Sequence, residues 1–320
     1  MNFKIAIKNL FKDYWGSISL VYILIITLIS IFAYWISPDS SPNANQMNLN
    51  IHSKPPGFST LILKIPQNLN IDNFPISKNE IFIEDYKMFN NKLFYSEVGS
   101  FSMEQKEIDI TEILKDNDIN EFELKFIKKK IFYLGTDKYG RDMLSRMIIG
   151  SRVSISIGFI AVIISLIIGI LIGLTSGYFG GWFDNFIMWL INVFWAIPTL
   201  LLVIAITISL GKGYWQVFFA VGLTMWVEVA RLVRGQVRTL KEKLFIQSAK
   251  VLGFSSYRIM LNHILPNLLG PLIVISAANF ASAILIESGL SFLGIGVQPP
   301  IPSWGGMIKD HFRYIILGKE

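Results

Sequence analysis

Cysteine is absent from this chain of 320 residues, which excludes disulfides and thiolate metal sites. Charged residues make up 16% of the sequence, whereas soluble globular chains carry them at about a quarter of their positions. The three histidines are widely separated, and no His-Glu-x-x-His spacing for a metal ion occurs. The Gly-x4-Gly-Lys-Ser/Thr phosphate loop and the Gly-x-Ser-x-Gly nucleophile pattern are also missing. The sequence therefore predicts no catalytic residue, metal site or cofactor site in this chain.

Hydrophobic residues, by contrast, fill 52% of the sequence, and the mean hydropathy is +0.49. Five largely uncharged runs have, or nearly have, the roughly 20 residues that a helix needs to cross a bilayer. They cover residues 14–37, 153–176, 186–210, 214–233 and 265–286. We therefore predict an all-α, multi-pass membrane protein with about five spans.

Charged residues and a proline in these runs are candidate functional positions, because an ionised group inside a bilayer is costly. Glu228 lies one turn before Arg231, so the two side chains are predicted to pair. Glu287 follows the fifth run, where it either reaches the membrane interface or has a gating role. Pro198 allows a kink in the third run. Gating or inter-subunit contact and simple packing stay open for all four residues.

Basic residues concentrate in two segments, the N-terminus and the connection between the fourth and fifth runs. The N-terminus carries Lys4, Lys8 and Lys12, and the connection carries Arg231, Arg234, Arg238, Lys241, Lys243, Lys250 and Arg258. An even number of spans separates the two segments, so both are predicted to face the cytoplasm under the positive-inside rule. This charge sets orientation and indicates no binding of nucleic acid.

A long polar segment, residues 38–145, follows the first run and is therefore predicted to lie outside the cytoplasm. Its short apolar stretches predict a small mixed α/β insert, with a helix over residues 108–130. At its end, closely spaced glycines and charges predict a tight turn in which Arg141 pairs with Asp137 or Asp142. A turn that braces the structure and a turn that contacts a ligand are both open. Its distinctive residues are Gly135, Thr136, Asp137, Gly140, Arg141 and Asp142.

Residues 244–266 have the pattern of a helix, a turn and a second helix between two apolar runs. Gly253 is predicted to end the first helix, Ser255 or Ser256 to cap the second, and Pro266 to permit a new helix to begin. Apolar stripes at helical spacing comprise Leu244 or Phe245, Ala249 and Leu252, and then Tyr257, Leu261 and Ile264. Such a segment is either an amphipathic connector on the membrane surface or a docking surface for a cytosolic partner.

The sequence of this segment resembles the loop by which permeases of binding-protein-dependent ABC importers couple to their ATPases. Gln247-Ser-Ala is followed after three residues by Gly253, and after nine more by His263-Ile-Leu-Pro266. The resemblance implies coupling roles for Gln247, Ser248, Ala249, Gly253, Leu265 and Pro266. The family commonly has Glu at the position of Gln247, so one charged contact to the ATPase is replaced here by an amide.

Residues 134–146 and 290–305 resemble one branch of that family, the second (C-type) permease subunit of dipeptide, oligopeptide and nickel importers. The resemblance implies three parts: residues 1–37 with the cytoplasmic N-terminus and first span, the extracytoplasmic insert 38–145, and a permease domain 146–320 with a coupling loop at 235–266. Relatives continue into a further span after the region of Trp304, and we expect that span to be missing here.

The implied function is that of a transmembrane subunit of an ATP-driven importer in a bacterial inner membrane, with di- or oligopeptides as the favoured solutes. The chain itself is then not an enzyme. The implied partners are a homologous permease, two ATPase subunits that bind ATP–Mg, an extracytoplasmic solute-binding protein and the lipid bilayer. A nickel or other small-solute importer, and a truncated scaffold without transport activity, are the alternatives. The insert is either a solvated decoration or a contact for the binding protein or companion permease.

Overall fold

The computed structural model describes residues 10–64, 80–99, 105–110, 123, 125–211 and 213–317. The chain divides into two compact units: a helical unit, Met1–Ile36 with Ile148–Glu320, and an inserted unit, Ser37–Met147. The described helices, in chain order, are α1 Tyr14–Ile31, α2 Ala33–Ile36, α3 Met143–Phe179, α4 Gly181–Ala196, α5 Thr199–Leu210, α6 Tyr214–Lys241, α7 Leu244–Val251, α8 Ser256–Leu293 and α9 Trp304–Ile316.

Four of these helices, α1, α3, α6 and α8, are long and apolar enough to cross a membrane. The bent pair α4 and α5 adds a fifth span if its two halves cross together. The predicted fold class, a helical membrane protein with about five spans and a small sheet-containing insert, is confirmed. Among the four, α6 is buried along most of its length and α1 is exposed along nearly all of it.

The third predicted span, 186–210, is not one continuous helix. Helix α4 ends at Ala196, α5 begins at Thr199, and the two are bent by 93°. Pro198 has no N–H to continue the helix, and it disfavours helical geometry at Ile197, whose φ and ψ are −96° and 128°. Pro198 therefore breaks the helix instead of kinking it.

Helices α3 and α6 pack through three small residues of α3 spaced four apart. A Cβ added at Gly169, Gly173 or Gly177 would lie 2.5, 2.7 or 2.9 Å from the Cβ atom of a valine on α6. These valines are Val229, Val233 and Val237. The glycines let the two backbones approach more closely than any other residue would allow.

The inserted unit contains a five-stranded antiparallel sheet of order β4-β3-β2-β1-β5. Its strands are β1 Phe58–Lys64, β2 Glu80–Phe89, β3 Lys92–Glu97, β4 Lys106–Asp109 and β5 Ile127–Phe132. The helix predicted over 108–130 is wrong at both ends, because these residues pair with β3 and β1 instead. Residues 111–122, in its middle, lie outside the described residues.

Candidate functional site

Helix α7 and the start of α8 form the segment that the sequence singles out, and α7 is held from its inner side. Ile246 and Ala249 are buried in a cluster with side chains of α3, α6 and α8. The helix ends as predicted at Gly253, which has a φ of +78°. Gly253 N donates to the Lys250 carbonyl at 3.0 Å and Phe254 N to the Ala249 carbonyl at 3.1 Å. These two bonds form a Schellman motif, which fixes the turn after α7.

The turn into α8 is fixed as firmly. Ser255 is the cap, since its hydroxyl accepts from Arg258 N at 3.4 Å. The Phe254 ring stacks on the His263 ring at 5.7 Å, and the Arg258 guanidinium lies 4.5 Å from the centre of the Phe254 ring. His263 therefore packs within the segment.

The residues of each apolar stripe do not share one environment. Leu244, Leu252 and Tyr257 point outward, with 80%, 71% and 70% of their surface exposed, and Val251 between them is 88% exposed. The buried positions are Ile246, Ala249, Ile259, Met260 and Ile264. A π-helical turn over Ile259–Ile264 adds a residue to the helical repeat and moves the inner face of α8 away from Tyr257. An apolar surface is therefore left uncovered on the outer side of the segment.

The six residues with predicted coupling roles all lie in this segment. Gln247, Ser248, Gly253 and Pro266 are exposed, Ala249 is buried and Leu265 is half-buried. The Gln247 amide donates to the Glu242 carbonyl at 3.1 Å, so it braces the start of α7. As predicted, Pro266 lies in the first turn of a new α-helical stretch, Leu265–Leu293 within α8, which follows the π-helical turn directly.

Polar contacts that the sequence reasoning missed join α7 to α3, and α4 to α6. Lys241 Nζ donates to the Tyr178 carbonyl at 2.6 Å, and the ammonium groups of Lys241 and Lys250 lie 5.5 Å from the Tyr178 ring. The Asp184 carboxylate accepts two bonds from Arg234, at 2.5 and 2.7 Å. This fork ties α4 to α6. The sequence contained one indication of this ion pair: Asp184 is an isolated acidic residue just after Gly180-Gly181, and a later segment of the chain is strongly basic.

The predicted pair of Glu228 and Arg231 does not form. The Arg231 guanidinium lies 4.0 Å from the centre of the Trp195 ring instead, and within the part of the chain that the structure describes Glu228 makes no ion pair or hydrogen bond. Arg231 does not pair with Glu228 because the ring of Trp195, at the end of α4, provides an alternative cation–π contact. Glu228 lines a cavity of about 320 Å³ beside the break at Pro198.

Glu287 does not reach the membrane interface, because its side chain is fully buried. It accepts hydrogen bonds from the hydroxyls of Ser291 at 2.6 Å and Ser154 at 3.4 Å. Ser291 accepts in turn from Val297 N at 3.1 Å, and Ser154 accepts from Trp304 N at 3.4 Å. The carboxylate therefore joins α3, α8 and the connection that leads to α9.

The motif at the end of the inserted unit is a hydrogen-bonded turn. Arg141 Nε lies 2.6 Å from the Asp137 carboxylate, which also accepts from Tyr139 N and Arg141 N. Of the two predicted partners of Arg141, the structure therefore has Asp137. The other acid, Asp142, accepts from Ser145 N at 3.0 Å.

Two further features of this motif bind it to the residues before the sheet. Lys54 N donates to the Thr136 hydroxyl at 2.9 Å, and Thr136 N donates to the Lys54 carbonyl at 3.0 Å. A Cβ on Gly140, which has a φ of +72°, would lie 1.7 Å from the Asn48 carbonyl oxygen. Only glycine fits there. The geometry favours bracing over ligand contact.

Two family models match the chain. Residues 165–318 match the binding-protein-dependent transport system inner membrane component, and residues 2–56 match the N-terminal TM domain of oligopeptide transport permease C. The first match includes α7, the cavity and Glu287, and the second includes α1.

Curated relatives agree with these matches. The oligopeptide transport system permease protein OppC of Escherichia coli K12 is 45% identical over 178 residues, which is 56% of this chain and 59% of the relative. OppC of Bacillus subtilis 168 is 39% identical over 57% of this chain and 59% of the relative. The glutathione transport system permease protein GsiD of Salmonella typhimurium LT2 is 44% identical over 56% of this chain and 59% of the relative. The matched region thus spans 59% of the length of these relatives.

Among solved structures, the MetNI methionine ABC transporter in an inward-facing conformation aligns with a TM-score of 0.45 and 17% identity, over 56% of this chain and 84% of that chain. By the two family models and its curated relatives, the chain belongs to the inner-membrane permeases of binding-protein-dependent transport systems, in their C-type oligopeptide and dipeptide branch.

Proposed function

We propose that this chain is one of the two permease subunits of an ATP-driven importer of di- and oligopeptides. The solute assignment is supported by the names of its relatives, which include oligopeptide, dipeptide and glutathione permeases. ATP–Mg is then bound and hydrolysed on two separate ATPase subunits, a homologous permease completes the path, and an extracytoplasmic binding protein delivers the solute. The N-terminus and the α7 segment face the cytoplasm.

One observation carries the proposal: α7 is anchored on one side and uncovered on the other. Ile246 and Ala249 fix it to the helical unit, whereas Leu244, Val251 and Leu252 have no covering layer among the described residues. An exposed apolar cluster rimmed by basic and polar residues is typical of a protein docking surface. Lys250 of α7 lies against the Tyr178 ring of α3, and the buried side of α7 packs on α6, which Arg234 ties to Asp184 of α4. A shift of α7 is therefore expected to reach these spans.

Co-purification tests the docking assignment. The chain, the companion permease and the ATPase subunits are expressed together, and the complex is isolated in detergent through a tag on this chain. We expect a stoichiometric ATPase that is lost in Leu252→Asp, because an acid replaces an apolar contact. The matched control is Phe89→Asp in the inserted unit, where the parent side chain is 68% exposed. No bound ATPase in the wild type, or equal retention in both variants, would contradict the proposal.

Orientation has its own test, because the chain has no cysteine. A single Ser248→Cys variant should react with a membrane-impermeant maleimide in inside-out vesicles and not in intact spheroplasts. Labelling in spheroplasts would place the segment on the wrong side for an ATPase.

A further inference from the structure

The cavity beside the helix break is formed by four elements of the helical unit. Phe194 and Trp195 come from the end of α4, Thr199 from the start of α5, Glu228 from α6 and Ser282 from α8. Its volume of about 320 Å³ lies at the lower end of the range for small-molecule sites. Trp195 and Thr199, on either side of the break at Pro198, both line the cavity.

Glu228 is the only acidic residue of the cavity wall that the structure describes. Asp184 is neutralised by Arg234, and Glu287 is held by serine hydroxyls, but no described residue balances the charge of Glu228. An ionised carboxylate in an apolar helix is unfavourable without a counter-charge or water. Arg231, one turn away, is committed to Trp195. Glu228, which is exposed at the cavity wall, is therefore open to a cation that comes from outside the described residues.

The remaining polar groups of the wall identify the kind of cation. Thr199, Thr224 and Ser282 place hydroxyl oxygens around the cavity, and the Thr224 hydroxyl already donates to the Val221 carbonyl at 2.8 Å. The lone pairs of the Thr224 hydroxyl oxygen are therefore available to accept a hydrogen bond from a ligand. A primary ammonium group has three donors and no acceptor, which matches one carboxylate and several hydroxyl oxygens. Aromatic faces such as that of Phe194 add a favourable surface for a cation.

We propose that this cavity is a binding subsite for a primary ammonium group, in which Glu228 is the charge partner. The ligand is a short peptide with a protonated amine, either its free N-terminus or a lysine side chain. The proposal rests on the proposed function and deepens it by naming the group that the path recognises. It places Glu228 in ligand binding, whereas Asp184 and Glu287 hold the helices together.

The first test measures ATP-driven uptake by the complex in proteoliposomes, with labelled trialanine and N-acetyl-trialanine below saturation. We expect Glu228→Gln to lower trialanine uptake about tenfold, the loss of one charge-assisted hydrogen bond, and to leave uptake of the acetylated peptide unchanged. Asp13→Asn, which removes an exposed acid that does not line the cavity, should change neither. An acetylated peptide that carries one lysine separates the two ammonium sources, and its uptake should fall with Glu228→Gln if the side chain is recognised.

An equal loss for trialanine and N-acetyl-trialanine, or no loss for any ammonium-bearing peptide, would overturn the subsite. An inactive wild-type complex would instead count against the proposed function, and the subsite then depends on a second measurement. In a Ser282→Cys variant, reaction with a methanethiosulfonate reagent should be slowed by methylammonium, and this protection should vanish when Glu228→Gln is added. A thiol that is unreactive, or equally reactive with and without methylammonium, would show that a companion subunit covers the wall or that no ammonium binds there.

Discussion

Two carboxylates of the helical unit, Asp184 and Glu228, differ in how their charge is balanced. The Asp184 side chain is 2% exposed and sits in a fork with Arg234, with Arg238 3.7 Å away. Glu228 lines a cavity and has no such partner among the described residues. The first charge is part of the internal structure, and the second is available to something that arrives from outside. We therefore expect Asp184 to stabilise the fold and Glu228 to contribute to the proposed ligand binding. A series of substitutions can test this difference.

Asp184→Ala should have the largest effect on stability. It leaves the Arg234 guanidinium, which is 17% exposed, without its bidentate partner. Breaking a partly buried ion pair in this way costs about 3 kcal/mol of unfolding free energy. The midpoint of thermal unfolding in detergent measures the loss. Arg238→Ala is the control, since its side chain is 57% exposed and its pairing contributes little. Equal losses in the two variants would contradict the structural role of the fork.

Glu287→Ala should rank next. It removes the acceptor for the Ser291 and Ser154 hydroxyls in a buried site, a loss of about 2 kcal/mol. Glu287→Gln keeps one amide oxygen as an acceptor, so its loss should be clearly smaller. Thermal unfolding of the three proteins under one detergent condition gives the order. A Gln variant as unstable as the Ala variant would mean that the negative charge itself, and not the hydrogen bonding, holds the α8–α9 connection.

Glu80 in the inserted unit is an acidic residue that forms ion pairs with Lys64 and Lys130. Burial raises its pKa, but a bond to Lys64 at 2.5 Å, the charge of Lys130 and a bond from Gln46 outweigh this and hold the pKa below its ordinary value of 4.5. A lowered folded-state pKa stabilises the protein above about pH 4.5, and this stability is lost as the pH falls toward the folded-state value.

For Glu80→Gln we expect a loss of about 1 kcal/mol or less at pH 7, since Lys64 is half-exposed. The difference between wild type and variant should shrink as the pH falls from 7 through 4.5 and below, measured as unfolding midpoints at each pH. A difference that grows on acidification would have the wrong sign for a paired carboxylate.

Glu228→Gln should have the smallest effect on stability, within about 0.5 kcal/mol of the wild type. No described contact is removed, and the Glu228 side chain is exposed. The same thermal measurement applies. A loss as large as that of Asp184→Ala would show that Glu228 has a structural partner, and the contrast between the two acids would disappear.

The features that the sequence predicted well are those set by local chemistry. Long apolar runs report spans directly, and Gly253 ends α7 because its left-handed geometry suits glycine. The pairing of Arg141 with Asp137 is likewise a contact between residues four apart. A single stretch of sequence contains all the information that each of these needs.

The features that it missed depend on distant residues. Asp184 and Arg234 are 50 positions apart, and Ser154 and Glu287 are 133 apart. The ends of the predicted helix over 108–130 became strands because β3 and β1 offer hydrogen-bond partners there. The outward faces of Leu244 and Leu252 could not be read from helical spacing, since Ile246 and Ala249 are also three residues apart and it is these two that pack into the helical unit.

The glycine contacts between α3 and α6 have a mechanical consequence. With their backbones in contact at three successive turns, we expect these helices to move together. Glu228 and Arg234 lie six residues apart on α6, about 9 Å along its axis. Under the proposed function, a displacement applied through Arg234 would therefore reach the cavity wall, and binding at the wall would act back on the α7 surface. Because coupling between two sites is reciprocal, a solute that strengthens docking at α7 would itself bind more tightly while that surface is occupied.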